Sequence, residues 1–425
     1  MNSSPLRARP SRSTRRAVAG LVLASLLLGA TATAGPASAD PGVAPTAILT
    51  TPVTDDCPHK THTPPAVDDS ETVAPGSTTP TPLPVPDKPA GGDKLAGCGV
   101  VADPAAGEVP HGLTSAGWLI ADLDSGKIIA AKDPHGRYRP ASTIKVLLAL
   151  TALEELDLKK TVIGTHDDYA TEGDSCGMGP EGEYTVRELL TGLLMVSGND
   201  CANALARALG GKDEALKKMN AKAASLGAHD TRAASPSGLD AAGMSTSPFD
   251  EATIFRAAMH NEEFASIVKL KSFHFPGFPA LKDVPGDKAH PGYEMAVQNP
   301  LVRDDYPGAL GGKTGYTDDA LKTYVGAVER NGRRLMIVQM YGLSTADDPY
   351  AAQAQRMFDY GFAADPSISV GQLGDTGIPA GKNVTPELAT TGHDESSGSG
   401  WTIALWILGA LAVVAAAAGL VRRRR

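Results

Sequence analysis

The sequence predicts an α+β domain in which both ends of one folded unit contribute strands to an antiparallel sheet, with helices inserted between them. Near the start of this unit, two apolar segments flank a polar turn at residues 124–126, which is typical of a β-hairpin. Near its end, two more flank Asn-Gly at 331–332, the strongest short hairpin signal. Helical periodicity fills the interval between the hairpins. We therefore place one folded domain at residues 111–364.

The segment 140–158 combines an apolar helix with two reactive side chains at its start. From Val146 to Leu156 apolar residues cover nearly the whole circumference, which predicts a helix surrounded by protein. Ser142 and Lys145 are three residues apart, so both side chains lie on one helix face, where apolar surroundings lower the pKa of an amine. Such a lysine can act as a general base toward a serine. The alternative for an isolated S-x-x-K is a helix start with a solvated lysine.

Two further tripeptides follow in a fixed order. Ser-Gly-Asn at 197–199 lies on the connection between two helical segments, where side chains can project into a cleft. Lys-Thr-Gly at 313–315 precedes the second hairpin. The series S-x-x-K, S-x-N and K-T-G is the signature of class A β-lactamases and penicillin-binding proteins.

From residue 118 to about 362 the sequence resembles a serine-type D-Ala-D-Ala carboxypeptidase, a low-molecular-mass penicillin-binding protein. The likeness covers the motifs and their flanks, R-P-A-S-T-I-K, E-L-L-T-G-L-L-M-V-S-G-N-D and G-G-K-T-G-Y-T. It implies a β-lactamase/DD-peptidase-like fold and removal of the terminal D-alanine from peptidoglycan pentapeptide stems through an acyl-enzyme, with β-lactams as inhibitors. Many relatives carry an additional C-terminal β-domain, for which the stretch 363–400 is too short.

The resemblance implies catalytic roles for three side chains. Ser142 is expected to attack the carbonyl of the penultimate D-alanine, with Lys145 as its base. Ser197 is expected to pass the proton to the departing D-alanine. Acyl transfer needs these three functions and donors aimed at the developing oxyanion.

The resemblance also implies a set of substrate-binding residues. Asn199 is expected to hold the substrate's amide, and Lys313 with Thr314 to bind its terminal carboxylate. The small Gly315 lets the substrate backbone approach. The backbone N–H of Tyr316 and that of the nucleophile are expected to form the oxyanion hole.

Two other functions remain as alternatives, a serine β-lactamase and a sensor that binds β-lactams or peptidoglycan without turnover. Class A β-lactamases carry a glutamate followed four residues later by asparagine between the second and third motifs. None of the five glutamates in that interval has this asparagine: Glu214, Glu251, Glu262, Glu263 and Glu294. The intact set of catalytic residues argues against a sensor.

The four cysteines predict disulfides in an exported protein. Cys57 and Cys98 bracket a proline-rich segment, and a bridge between them is the economical interpretation. Cys176 and Cys201 flank the Ser-Gly-Asn region, where a second bridge would brace the site, although two unpaired buried cysteines remain an alternative. Four cysteines allow three pairings. No H-E-x-x-H or C-x-x-C pattern occurs, so we predict neither a metal nor a cofactor.

The first 110 residues predict export followed by a mobile segment. Residues 1–39 carry five arginines, an apolar run and an Ala-Ser-Ala cleavage site, as expected for a signal peptide. Residues 40–110, with 12 prolines between positions 41 and 89, predict a disordered extracellular segment. Between residues 40 and 400 there are 30 basic and 48 acidic residues, a balance of −18, which argues against a nucleic-acid partner.

The C-terminal end predicts attachment to the cell surface. Residues 365–400 form a flexible linker that contains L-A-T-T-G at 388–392, similar to an actinobacterial sortase sorting signal. Residues 401–421 carry no charge and are long enough for a transmembrane helix, and the arginines at 422–425 form a cytoplasmic tail. The expected location is the extracellular face of the membrane or the cell wall, with a sortase as a possible partner. A plain membrane anchor is the alternative.

Overall fold

The computed structural model describes residues 51–374. The predicted export signal, sorting motif, membrane helix and basic tail lie outside these residues. Within 51–374, no helix is both long and apolar enough to cross a membrane.

The described residues contain eleven strands, most of them short except near the C-terminal end. They are β1 (Val100–Ala102), β2 (Gly117–Asp122), β3 (Lys127–Lys132), β4 (Thr161–Ile163), β5 (Glu183–Thr185), β6 (Ser272–Phe275), β7 (Tyr293–Ala296), β8 (Ala309–Thr317), β9 (Leu321–Arg330), β10 (Arg333–Gly342) and β11 (Gly371–Gln372).

The same part of the chain contains nine α-helices, most of which lie between β3 and β8. They are α1 (Lys145–Glu155), α2 (His166–Tyr169), α3 (Val186–Met195), α4 (Asn199–Ala208), α5 (Lys212–Ser225), α6 (Pro248–Met259), α7 (Glu262–Val268), α8 (Pro300–Arg303) and α9 (Tyr350–Ala363).

Seven antiparallel strands of the described region form the main sheet, in the order β1-β3-β2-β10-β9-β8, with β11 also paired to β3. The centre of the sheet joins the two ends of the domain, because β2 pairs with β10 and Trp118 lies opposite Gln339. This arrangement confirms the predicted α+β class and the inserted helical region. It also leaves β8, which carries Lys-Thr-Gly, at an edge of the sheet.

The β9–β10 hairpin turns at the predicted dipeptide. Asn331 and Gly332 have φ angles of 51° and 77°, and Arg330 pairs with Arg333 across them. Positive φ at both central residues is the geometry that matches the twist of the flanking strands. The turn therefore fixes the register of the strand next to β8.

Helices cover both faces of the sheet. On one face, α1 packs against α3, α5 and α6, and residues 145–152 are all buried, as expected for a helix that is apolar around its circumference. On the other face, Met357 and Phe358 of α9 belong to the same buried apolar cluster as Ile120 and Ile337 of the sheet. Helix α1 is thus held in the centre of the larger core.

The proline-rich segment 51–99, called the strap below, is expected from its composition to be disordered, but in the structure it makes specific contacts with the domain. Arg137 is buried and donates to the carbonyl of Thr61 (3.1 Å) and to those of Leu83 and Pro84 (2.5 and 3.0 Å). Lys132 donates to the carbonyl of Pro52. A prediction from composition considers the apolar side chains that a segment can bury, so it does not detect these contacts. The strap is held through its backbone carbonyls, which serve as hydrogen-bond acceptors for buried cations of the domain.

The folded unit also extends past both predicted boundaries. At its start, β1 pairs with β3 before residue 111. At its end, Val370 donates its backbone N–H to Ile128 (2.8 Å), and β11 joins the main sheet after residue 364. The first ten residues of the predicted linker are therefore part of the domain.

Candidate active site

Ser142 lies on a turn that the fold holds under strain. The residues Ala141–Ile144 form a 3₁₀ turn immediately before α1, and Ala141 has a φ angle of 48°, which is uncommon for a residue other than glycine. The carbonyl of Pro140 accepts a hydrogen bond from Thr323 on β9 (2.8 Å). The turn is thus tied to the sheet just before Ser142.

Glu251 supports this turn from the core. The hydroxyl of Thr143 lies 2.8 Å from the carbonyl of Pro140 and 2.9 Å from the carboxyl of Glu251. A threonine hydroxyl has one proton, so both contacts are full hydrogen bonds at the same time only when a protonated Glu251 donates to the hydroxyl. Burial raises the pKa of Glu251 to about 7, which favours this neutral form. Glu251 therefore acts on the turn through Thr143.

Lys145 is buried beneath Ser142. Its Nζ lies 2.8 Å from Ser142 Oγ and 2.7 Å from Asn199 Oδ1, and it donates to the carbonyl of Ser237. Burial, and after it the nearby Lys313, holds the pKa of Lys145 well below its usual range. A neutral amine has two hydrogens for Asn199 and Ser237, which leaves its lone pair facing the Ser142 hydroxyl.

Ser197 presents an unused hydroxyl to the cleft. It has a φ angle of 64° and is buried, and its Oγ has no hydrogen-bond partner within residues 51–374. A buried hydroxyl without a hydrogen-bond partner is energetically unfavourable. Such groups are often found in sites that bind a ligand.

Asn199 is positioned mainly by protein atoms. Besides accepting from Lys145, its side chain donates to the carbonyl of Glu172 (2.7 Å), and its backbone N–H donates to the carbonyl of Asp174 (2.7 Å). Its carboxamide therefore orients Lys145 in this structure. One Nδ2 hydrogen remains for the substrate amide that the resemblance assigned to it.

A disulfide and one carboxylate hold the loop beside this residue. Cys176 is bonded to Cys201, and the Asp200 carboxylate accepts from the backbone N–H groups of both cysteines, 2.9 and 2.8 Å away. A Cβ on Gly198 would lie 2.8 Å from Cys176 Cβ, too close for any other residue. The loop therefore explains why glycine stands at the centre of Ser-Gly-Asn.

The opposite wall is strand β8. Lys313 is buried and donates to the carbonyl of Thr314 (2.6 Å). Burial lowers the pKa of Lys313 to about 7, while the charge of Asp174 opposes this shift. A Cβ on Gly315 would lie 2.9 Å from the backbone nitrogen of Ser142, so the strand passes directly against the turn that carries Ser142. Asp174, which the sequence analysis did not single out, therefore contributes to the electrostatic environment of Lys313.

A cleft of about 590 Å³ separates the two walls. It brings together at its surface six of the residues singled out from the sequence, with Lys145 and Lys313 buried in its walls: Ser142, Ser197, Asn199, Thr314, Gly315 and Tyr316. Among the described residues that line it there is no glutamate, and the acid present is Asp174. Sequence reasoning missed Asp174 and the carbonyl of Ser237, because neither belongs to a motif.

The remaining cysteines and the candidate metal ligands have simple explanations. Cys57 is bonded to Cys98, the pairing that the bracketing of the strap favoured. Within residues 51–374, one cluster of potential metal ligands occurs, formed by Cys176, Asp200 and Cys201. Its two sulfurs are bonded to each other and are not available as thiolate ligands.

Comparison with known families identifies the family of the chain. The family model for D-alanyl-D-alanine carboxypeptidase matches residues 104–343, more than half of the chain. The chain belongs to this family of serine hydrolases. The match begins after the strap, which is therefore an addition to the part that the family model describes.

Individual relatives agree with the family. The chain is 50% identical over 259 residues to D-alanyl-D-alanine carboxypeptidase DacB2 of Mycobacterium tuberculosis, covering 60% of this chain and 85% of the relative. It is 31% identical to DacF of Bacillus subtilis, covering 60% of this chain and 64% of that protein.

Solved structures show the same fold. A crystal structure of a D-alanyl-D-alanine carboxypeptidase from Mycobacterium tuberculosis has a TM-score of 0.57 and 48% identity, with 63% of this chain and 97% of that chain covered. The Streptomyces K15 DD-transpeptidase has a TM-score of 0.54 and 27% identity, with coverages of 60% and 99%.

Proposed function

We propose that this protein removes the terminal D-alanine from peptidoglycan pentapeptide stems through an acyl-enzyme on Ser142, and that β-lactams inhibit it by acylating the same residue. One observation carries the proposal. The buried amine of Lys145 lies 2.8 Å from Ser142 Oγ with its other partners fixed, as a base that activates this hydroxyl requires.

Acylation begins with attack by Ser142 Oγ on the carbonyl carbon of the penultimate D-alanine. Lys145 takes the hydroxyl proton as the new C–O bond forms. The backbone N–H groups of Ser142 and Tyr316 stabilise the oxyanion, which they can approach because Gly315 lets β8 pass close to the nucleophile. The closeness of strand and turn supports this assignment.

Departure of the terminal D-alanine requires a proton on its nitrogen. The Ser197 hydroxyl, unpartnered within the described residues and lining the cleft, is suited to deliver it, with replacement of the proton from Lys145. Breaking the C–N bond then leaves an acyl-enzyme and a free amine. Water hydrolyses the ester and regenerates Ser142.

Recognition of the substrate's terminal carboxylate falls to Lys313 and Thr314 on β8. A buried ammonium is a strong partner for a carboxylate because little water competes with it. Lys313 is held beneath the strand by the carbonyl of Thr314, so the charge lies at the wall of the cleft. The carboxylate that these two residues would bind belongs to the departing D-alanine.

The decisive experiment compares the wild-type protein with Ser142→Ala. With a peptide ending in D-Ala-D-Ala, the wild type should release D-alanine and should also be labelled by a fluorescent penicillin. Ser142→Ala should do neither, since both reactions use one nucleophile. Covalent labelling retained by the variant would contradict the assignment.

The lifetime of the penicilloyl adduct separates this function from that of a β-lactamase. No glutamate lines the cleft within the described residues, and Glu251 faces Thr143 instead. The adduct should therefore persist for minutes or longer in the purified protein. Rapid turnover of penicillin would favour a β-lactamase.

We further propose that residues 1–39 export the protein and that the C-terminal end attaches it to the cell surface. The support is the order of L-A-T-T-G at 388–392, the uncharged run 401–421 and the final arginines. Mass spectrometry of cell-wall digests tests it. A C-terminal peptide ending at Thr391 with a wall fragment supports sorting, whereas intact protein ending at Arg425 in membranes supports a plain anchor.

A further inference from the structure

The strap reaches the back of the catalytic cleft at one buried arginine. Arg139 lies three residues before the nucleophile and is almost completely buried. Its Nε donates to the carboxylate of Glu71 (2.5 Å), and its Nη1 donates to the carbonyl of Pro64 (2.7 Å). Both partners belong to the strap. The segment that leads into the nucleophile turn is therefore anchored by residues outside the part matched by the family model.

The strap also holds the end of the substrate-binding strand. Asp319 follows β8 by two residues and is buried. Its carboxylate accepts from the backbone N–H of Val67 (2.5 Å) and from the hydroxyl of Ser70 (3.1 Å). Among residues 51–374, both hydrogen-bond donors to this carboxylate come from the strap. A buried carboxylate depends on such donors, so the strap stabilises the position of Asp319.

These two contacts converge on one charge cluster. Arg139 Nε lies 4.0 Å from Asp319 Oδ2, so the guanidinium joins the nucleophile side to the strand side. Asp240 belongs to the same cluster, and burial raises its pKa to about 6. Asp240 follows the loop whose Ser237 carbonyl accepts from Lys145. Each of the three domain residues thus adjoins an element of the proposed active site.

We propose that Glu71 is a positioning residue for acylation: through Arg139 and Asp319, the strap fixes the nucleophile turn relative to the strand that binds the substrate. The Cys57–Cys98 disulfide closes the strap into a loop and keeps Glu71 near its partner. This inference rests on the proposed carboxypeptidase function. Small displacements of a nucleophile cost rate even when binding and folding persist.

The test measures labelling of the full chain by a fluorescent penicillin, with both the rate constant and the final labelled fraction recorded. Glu71→Ala should lower the second-order rate constant about tenfold while the labelled fraction stays complete. The control is Asp69→Ala, which removes the same charge from the same turn. Asp69 is exposed, and its side chain makes no hydrogen bond within the described residues.

Two additional variants separate positioning from folding. Glu71→Gln keeps an acceptor for Arg139 Nε and should recover most of the rate. Ser70→Ala, at an exposed residue, removes one donor to Asp319 and should lower the rate about threefold. For each variant, kcat for D-alanine release should fall more than KM rises.

The outcomes are distinct. A rate constant for Glu71→Ala within twofold of the Asp69→Ala control, in a protein whose wild type is active, overturns this inference and leaves the proposed function intact. A reduced labelled fraction at an unchanged rate constant also overturns it, because the strap would then serve folding alone. A wild type that neither releases D-alanine nor binds penicillin overturns both.

Discussion

The two walls of the cleft each bury a lysine, yet they prepare these lysines for opposite tasks. On the helical wall, the amine of Lys145 is surrounded by Asn199 Oδ1, the Ser237 carbonyl and Ser142 Oγ. On the strand wall, Lys313 donates to one carbonyl of its own strand and is influenced by the carboxylate of Asp174. Burial is the main cause that lowers the pKa of both.

The two walls differ in the charged groups that affect the pKa of each lysine. A proton on Lys145 is disfavoured by burial and then by the charge of Lys313, which outweigh the opposing charges of Asp174 and Asp200. Burial also lowers the pKa of Lys313, to about 7, and the charge of Asp174 opposes that shift. A positive Lys313 therefore helps to keep Lys145 neutral. In the proposed function, one wall accepts a proton and the other binds an anion, although the residue type and the burial are the same.

The largest expected effect comes from removing the base. Lys145→Ala should lower the rate of acylation by penicillin about 10² to 10⁴-fold, because general-base catalysis typically contributes that much. The measurement is stopped-flow labelling at neutral pH. Lys159→Ala, at an exposed lysine just beyond α1, serves as the control and should label normally. Normal labelling of Lys145→Ala would show that the two walls do not differ in this way.

Removing the anion-binding lysine should have a smaller effect of another kind. Lys313→Ala should lower kcat/KM for the D-Ala-D-Ala peptide about 10 to 100-fold, mainly through KM, since one charged hydrogen bond to the carboxylate is lost. Lys322→Ala removes a positive charge from the same cleft, where its Nζ lies over the Tyr316 ring, and should cost less. Equal losses would indicate a general charge effect.

The pH profile sharpens the comparison. Lys313, with a pKa of about 7, carries its charge below that pH and loses it above. Because kcat/KM reports the free enzyme, it should fall about tenfold per pH unit above neutrality. The substrate carboxylate raises the pKa of Lys313 in the complex, so kcat should fall only at higher pH. Coincident alkaline limbs for the two parameters would contradict this assignment.

Asp174 offers a direct test of the same assignment. Its charge raises the pKa of Lys313, so Asp174→Asn should move the decline of kcat/KM to lower pH. Glu172→Gln makes the same change of charge at an exposed residue of the same loop, and its profile should match the wild type. An unmoved decline in Asp174→Asn would exclude Asp174 as the partner of Lys313.

Removal of the disulfide beside the helical wall should have the smallest effect on acylation. Replacing Cys176 and Cys201 by alanine opens a bridge between residues 25 apart and should lower the free energy of unfolding by about 3 kcal/mol. Acylation measured well below the unfolding midpoint should slow only a few-fold, because the Asp200 carboxylate still holds the loop. Unchanged stability would mean that the carboxylate alone braces this wall.

Much of the fold and of the site follows from local patterns in the sequence. Apolar residues around the circumference of α1 predicted a buried helix, and Asn331 with Gly332 predicted the hairpin beside β8. The spacing of Ser142 and Lys145 was sufficient to place their side chains together. These features depend on residues that are close together in the sequence, so local sequence patterns are enough to predict them.

Other features depend on contacts between distant parts of the chain. The strap is ordered because Arg137 and Arg139 are buried and need its carbonyls, and no local composition contains that information. Asn199 binds Lys145 because the ends of α4 and α1 meet in the core. Asp174 faces both lysines only after its loop is fastened to Asp200.

The sequence by itself determined which groups this protein uses, because the chemistry of acyl transfer requires a hydroxyl, an amine and a cation in recognisable motifs. Only the tertiary structure decided the pKa values of the two buried lysines. Their pKa values depend on burial and on charges brought near from other elements, such as Asp174 for Lys313 and Lys313 for Lys145. Electrostatic interactions act through space, so the protonation states of these groups follow from the folded arrangement.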